Sequence, residues 1–192
     1  MPCIPYRIDD AGQLWGRDDL AVSLAQVADT DIEVGHLIPF VFSVKLPQGD
    51  LAKVLVSFTS HCWTESFDEE MHAGKLIVLD HTRHRVFDAE RYALSKSLPG
   101  VIAGVSDHKC FLTPEKRNYM TFDGRVRLDG GRDYRIFFSM KKSKGRWNGA
   151  RHQLHMIVES AYPTSRLVVG TEVSFTTIVS KTLRGEKIRY VG

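Results

Sequence analysis

The feature that most constrains this chain is a series of short β-rich runs, broken by glycine-containing turns, that fills its second half. Lys109 to Leu112, Asn118 to Phe122, Tyr134 to Met140, Leu154 to Glu159 and Val173 to Val179 are the runs, with Asp123-Gly124, Asp129-Gly130-Gly131 and Lys144-Gly145 between or beside them. Branched and aromatic side chains suit a pleated, half-buried surface, and glycine pairs mark reversals of the chain. The pattern predicts a meandering antiparallel sheet.

Upstream, Ile38 to Val44 and Val54 to Thr59 flank Leu46-Pro47-Gln48-Gly49-Asp50, where proline and glycine supply turn chemistry, so a hairpin is expected. The acidic cluster Glu65, Asp68, Glu69 and Glu70 reads as a loop, followed by a short strand over Lys75 to Leu79. Asp88 to Val105 is the principal helix: Asp88 is its N-cap, and Tyr92, Leu94, Leu98, Val101, Ile102 and Val105 fall near one stripe. Pro99-Gly100 must kink or split it. Tyr6 to Ile32 reads either as an edge strand or as a short helix capped by Asp18 or Asp19. The fold class expected is α+β, a meandering antiparallel sheet with one principal helix packed on a face.

The 192 residues are expected to form a single domain, spanning 1–192, with a charge division inside it. Residues 1–80 carry five Lys and Arg against thirteen Asp and Glu, whereas residues 81–155 carry sixteen against seven and residues 156–192 five against three. An acidic portion, 1–80, thus precedes a basic helix-plus-sheet portion, 81–192. A basic block of this kind fits phosphate-rich ligands or an acidic partner, which here includes the chain's own first 80 residues. Asp9, Asp10, Arg17, Asp18 and Asp19 interrupt any signal core near Met1, and no apolar run is long enough for a membrane helix, so a soluble cytoplasmic protein without membrane contact is expected. Cys3, Cys62 and Cys110 are odd in number and sparse, which predicts free thiols, although spacing leaves a Cys62–Cys110 bridge open.

Walker loops, Rossmann glycine fingerprints, HExxH helices, GxSxG elbows and CxxC pairs are absent. Histidines beside cations remain. A metal site from His61, Cys62, His81, His84, His108 and Cys110 fits no finger or ribbon spacing, and adjacent strand residues such as His61 and Cys62 face opposite sides, so no metal or cofactor is expected. Cys62 as a nucleophile would need a base or cation beside it; burial is the commoner fate of such a cysteine. Metal-independent RNA cleavage needs a base near neutral pKa, an acid for the leaving oxygen, and cations for the charge developing on phosphate. Asp80-His81-Thr82-Arg83-His84-Arg85 supplies two imidazoles and two guanidiniums just before a helix that carries Arg91 and Lys96.

His81-Thr82-Arg83-His84, a helix with Leu98-Pro99 and Ile102, and strands ending in Ser160-Ala161-Tyr162-Pro163 together resemble toxin-like nucleases of the superfamily joining RelE-type mRNA interferases with barnase-like and EndoU-like RNases. The resemblance covers about residues 78–165; the acidic N-terminal portion and the tail after Tyr162 depart from it. It implies His81 or His84 as base or acid, Arg83 and Arg85 as phosphate clamps, and Lys141 and His155 on the intervening strands as helpers. His61 has no place in that pattern and is a separate candidate to join the basic site from the first hairpin, and Arg91 and Lys96 are further phosphate-binding candidates from the helix start itself. Ser160 and Tyr162 would be polar or stacking groups, against a reading of Tyr162 as a core aromatic before Pro163.

Binding without catalysis has its own signal. Lys141, Lys142, Lys144, Arg146 and Arg151 surround Trp147 and Asn148 in an expected hairpin loop, a mixture that tracks a nucleic-acid backbone while stacking a base. Since no base-reading helix is evident, single-stranded RNA is the expected ligand. The function expected is a metal-independent ribonuclease or toxin-like RNA-binding protein; the alternative is a non-enzymatic interaction protein of a mobile element or phage, its basic face gripping an acidic protein or nucleic acid.

Overall fold

The computed structural model describes residues 3–8, 14–16, 34–72, 77–80, 83–107, 109–112, 122–128, 132–165 and 171–188. The strand-or-helix alternatives over residues 17–32, His81 and His108 lie outside them.

The α+β class holds. The expected hairpin is β3 (Phe40–Lys45) and β4 (Leu51–Phe58), antiparallel in the register Phe40↔Val56 to Lys45↔Leu51. Its reversal is closed by Leu46 N–H donating to the Asp50 carbonyl, with Gly49 at φ 96°, a conformation that costs glycine little. The second-half meander is β8 (Lys109–Leu112), β9 (Phe122–Arg127), β10 (Asp133–Trp147) and β11 (Ala150–Thr164), each antiparallel to the next. Local patterning does not reveal what joins the two halves: β4 lies parallel to β11, Val54 opposite Leu154 and Phe58 opposite Val158. With β12 (Thr171–Ser174) on β8, the order is β12-β8-β9-β10-β11-β4-β3. A second sheet runs β2-β1-β6-β7-β5, built from β1 (Cys3–Ile8), β2 (Leu14–Gly16), β5 (Thr64–Ser66), β6 (Ile77–Asp80) and β7 (Arg83–Phe87), with β1 and β6 parallel. The meander is thus antiparallel and the sheets as wholes are mixed.

The helix expected over Asp88 to Val105 is split into α1 (Ala89–Ser95) and α2 (Leu98–Ala103). Asp88 caps the first, its Oδ1 accepting the Arg91 N–H at 3.0 Å. The break falls at Lys96-Ser97, just ahead of Pro99, because a proline ring collides with the carbonyl four residues back but is tolerated in a first turn. Val173 to Val179, read above as a strand, is instead the end of β12 and the start of α3 (Phe175–Arg184). Ser174 Oγ accepts the Thr177 N–H, and Gly185, at φ 77°, ends the helix with its N–H on the Thr182 carbonyl while the Glu186 N–H reaches Lys181. These caps, and an apolar stripe at Phe175, Ile178 and Val179, override the β preference of Thr176, Thr177, Ile178 and Val179.

α3 lies against β10, β11 and β3. Phe175 stacks on Phe42 and meets Phe138 edge-on, at 6.2 and 5.9 Å between ring centres. The sheet's inward face is Val54 and Val56 from β4, Tyr134, Ile136 and Phe138 from β10, and Leu154, Met156 and Val158 from β11. On β11 the inward alternation then skips, since Val158 and Ala161 are both buried. The register explains it: Phe137 pairs Ser160 while Phe138 pairs Val158, so Glu159 is the extra residue of a bulge.

Among the described residues no helix is long and apolar enough to cross a membrane. Cys62 and Cys110 are free and buried.

Candidate functional site

The two strands β10 and β11 remain paired to Trp147↔Ala150 and reverse through Asn148-Gly149 alone. Asn148 and Gly149 have φ 43° and 79°, the left-handed pair that matches the twist of a two-residue hairpin. The ladder is irregular between Lys142 and Gly145, after which Gly145 faces His152 and Arg146 faces Arg151. At this irregularity, where β4 begins beside β11, a cavity of about 640 Å³ is lined by Lys53, Lys144, Gly145, Arg146, Arg151 and His152, with Leu51 and Gln153 completing it. Among the described residues, no acidic one lines it. Gln153 Oε1 accepts the Lys53 N–H at 2.8 Å, fastening the start of β4 to β11 across 100 positions of sequence.

From this cavity a polar line continues along β11. Arg151 and Gln153 are exposed and His155 half-buried, whereas His152, Leu154 and Met156 alternate inward. His155 Nε2 and the Ser57 hydroxyl share a 2.7 Å hydrogen bond, and Lys141 stands opposite His155 on β10. Farther along, the Ser139 hydroxyl donates to Glu159 Oε1 at 2.7 Å. The line ends where Tyr162 stacks on Phe137 at 5.4 Å, with the Arg91 guanidinium 5.1 Å from the Tyr162 ring centre and Arg135 5.2 Å from that of Phe137.

Burial, then the positive charge of Lys141 and the nearby His152, holds the His155 imidazole below its usual range. The unfolded chain therefore protonates this group at a higher pH than the folded protein does, and stability is lost as pH falls below the ordinary histidine value of about 6.5. An NMR titration of the His155 ring is expected to show a midpoint below that value. His155→Gln should flatten the melting-temperature profile between about pH 7 and pH 5; a midpoint at or above 6.5 contradicts this.

The histidine–arginine cluster expected around residues 81–85 is not where the described side chains converge. His81 lies outside the described residues, while Arg83 and His84 belong to β7, their backbones paired with Asp80 and Leu79. Arg85 is corrected from phosphate clamp to structural cation. It is 5% exposed, with Nε donating to Thr64 Oγ1 at 2.7 Å and a terminal nitrogen to the Thr64 carbonyl at 2.9 Å. Arg91 joins it on that carbonyl at 2.9 Å and pairs with Asp88 at 3.1 Å. Lys96 sits 4.8 Å over the Tyr92 ring. His61 lies half-buried in the turn between β4 and β5, its N–H on Thr59 Oγ1. Tyr162 is half-buried and outside the buried core, its ring on Phe137 and beside Arg91; Ser160 is half-buried opposite Phe137, and Trp147 half-buried at the hairpin end.

Thr64 Oγ1 also donates to the Ser60 carbonyl at 2.7 Å, so this buried hydroxyl joins the turn after β4 to Arg85, while Arg91 meets the Thr64 main-chain carbonyl. Thr64→Val is expected to destabilise the protein by about 2–3 kcal/mol, because it strands a donor of a buried charged group. Urea unfolding with an unchanged slope would measure it; a loss within about 0.5 kcal/mol would remove Thr64 from this role.

Burial pushes the Cys62 thiol up to about 12, which leaves essentially no thiolate at neutral pH. Among the described residues, no group of three or more His, Cys, Asp and Glu side chains is placed to hold a metal ion. Of the expected binding cations, Lys144, Arg146 and Arg151 meet at the cavity and Lys141 with His155 at its edge. Lys53, Ser57 and Glu159 escaped the sequence reading; the signal for Lys53 was its alternation with buried Ala52 and Val54, but its neighbours come from a strand pairing that no local pattern specifies.

No curated protein and no solved structure matches the chain at a significant level. A family model described as the YjaZ family matches residues 24–183, most of the sequence and every element from β3 to α3 apart from the last residue of that helix, and the chain belongs to that family.

Proposed function

We propose that this protein binds single-stranded RNA along the β4–β11–β10 surface, gripping its backbone at the base of the long hairpin. The observation that carries this reading is the convergence of Lys53, Lys144, Arg146 and Arg151 on one cavity without an acidic residue among the described residues of its lining. All four are exposed, and none is paired with a carboxylate among the described residues. Strand-borne cations at a cleft concentrate positive potential and attract a polyanion. Trp147, next to Arg146 in sequence and paired with Ala150, alternates to the opposite face of the ribbon, so the cations carry the reading without it.

A second reading, cleavage of the bound strand, rests on His155. Its imidazole, neutral at physiological pH, is held by Ser57 next to the Lys141 cation, so it can accept a proton from a ribose hydroxyl while lysine offsets charge on phosphate.

Incubation with end-labelled single-stranded RNA in EDTA, followed by native and denaturing gels, separates the two. Binding alone gives a retarded, intact strand that excess polyglutamate displaces poorly. Cleavage abolished by His155→Ala would establish the second reading, and cleavage abolished by His81→Ala or His84→Ala would place the chemistry at β7 instead. An unretarded strand at low salt contradicts RNA binding altogether.

A further inference from the structure

Four cations around one cavity exceed what a passing phosphodiester calls for. Each internal phosphate of a strand carries one negative charge, whereas Lys53, Lys144, Arg146 and Arg151 present four positive ones to a volume of about 640 Å³. Two of these are guanidiniums, whose planar forks match the oxygens of a phosphate in pairs. A terminal phosphomonoester carries close to two charges near neutral pH and presents three acceptor oxygens.

The cavity also has a built wall. His152 lines it at 7% exposure, and its Nδ1 is buried without a hydrogen-bond partner, an uncommon condition for a buried polar atom. Gly145 sets the ring's place: a Cβ there would stand 2.9 Å from His152 Cε1 and 3.1 Å from Nε2. A methyl group at residue 145 must therefore push the imidazole aside, without altering any charge.

We infer that this cavity is a binding site for a terminal phosphate, the phosphomonoester at the end of an RNA strand, with Arg146, Arg151, Lys53 and Lys144 as its cationic ligands and the His152 ring as part of its wall. The inference rests on the RNA-binding reading and sharpens it, since it assigns the strand's end rather than its middle to the cavity.

The test compares oligoribonucleotides of one sequence bearing a phosphate or a hydroxyl at the 5′ or 3′ end, by fluorescence anisotropy, on the wild-type chain and on Gly145→Ala. The phosphorylated form is expected to bind at least about tenfold more tightly. Gly145→Ala is expected to narrow that preference by displacing the His152 ring, and circular dichroism reports whether the variant folds. Arg146→Gln with Arg151→Gln, both at exposed positions, is expected to weaken both forms and the phosphorylated one more, independently of packing. Inorganic phosphate and adenosine monophosphate, titrated while the His152 ring resonances are followed, distinguish a strand end from a free nucleotide. Equal binding of phosphorylated and hydroxyl strands overturns the terminal-phosphate site and leaves RNA binding standing. Absence of binding by either strand sinks the RNA reading itself, and with it the assignment to a strand end. In that case, saturable perturbation of His152 by adenosine monophosphate would identify a free-nucleotide pocket.

Discussion

Replacing Lys53, Lys144, Arg146 and Arg151 together by alanine is expected to lower affinity for single-stranded RNA by a factor on the order of 100 or more at low salt. The salt dependence should change with it. Each phosphate neutralised on a single strand contributes about 0.7 to the slope of log affinity against log salt, so losing these cations should flatten the slope by at least about that amount. The four side chains are exposed and converge on a cavity lined by no carboxylate among the described residues, so their removal leaves no buried charge unpaired and the fold should be unaffected. Anisotropy titrations at several salt concentrations measure both quantities. A variant that binds as the parent does would move the binding surface elsewhere, toward the cations of β9 or the segment before β7.

Phe175→Ala carries the largest expected stability loss, about 3–5 kcal/mol, with a fall in melting temperature on the order of 10 °C. Phe175 is fully buried and is the first residue of α3, stacked on Phe42 of β3 and edge-on to Phe138 of β10. Its removal opens a cavity between the helix and both halves of the large sheet, where neighbours from three elements cannot all relax inward. Calorimetry or guanidinium unfolding gives the number. A loss under about 1 kcal/mol would mean that α3 is not anchored to the sheet by this ring.

Much of the fold is written locally. Pro47 and Gly49 announce the first reversal, and Asp88 and Pro99 the start and the splitting of the helical segment, whereas the long hairpin turns at Asn148-Gly149 and not at the expected Lys144-Gly145, which lies within β10. Each of these acts through its own backbone preference, which neighbours in space do not alter. The start of α3 was misread because four of its residues favour strands, although Ser174 and Gly185 carried the cap signals. The parallel contact of β4 with β11 joins residues about 100 positions apart, and nothing in either segment specifies the other. For the same reason the candidate site was only half legible. Lys144, Arg146 and Arg151 stand together in sequence around Trp147, but Lys53 reaches them only through the parallel pairing, and His152 takes its place because Gly145 lacks a side chain. Conversely, the run from His81 to Arg85 looked like a site because it concentrates charge, yet Arg85 is there to hold Thr64 in a buried joint.

The most direct test of RNA binding at the hairpin base is an anisotropy titration of the unmodified protein with a labelled single-stranded oligoribonucleotide across a range of salt concentrations. The account predicts saturable binding whose affinity falls linearly on logarithmic axes, with a slope of at least about 0.7 in magnitude, the contribution of one phosphate contact on a single strand. Binding absent at low salt, or indifferent to salt, would contradict it.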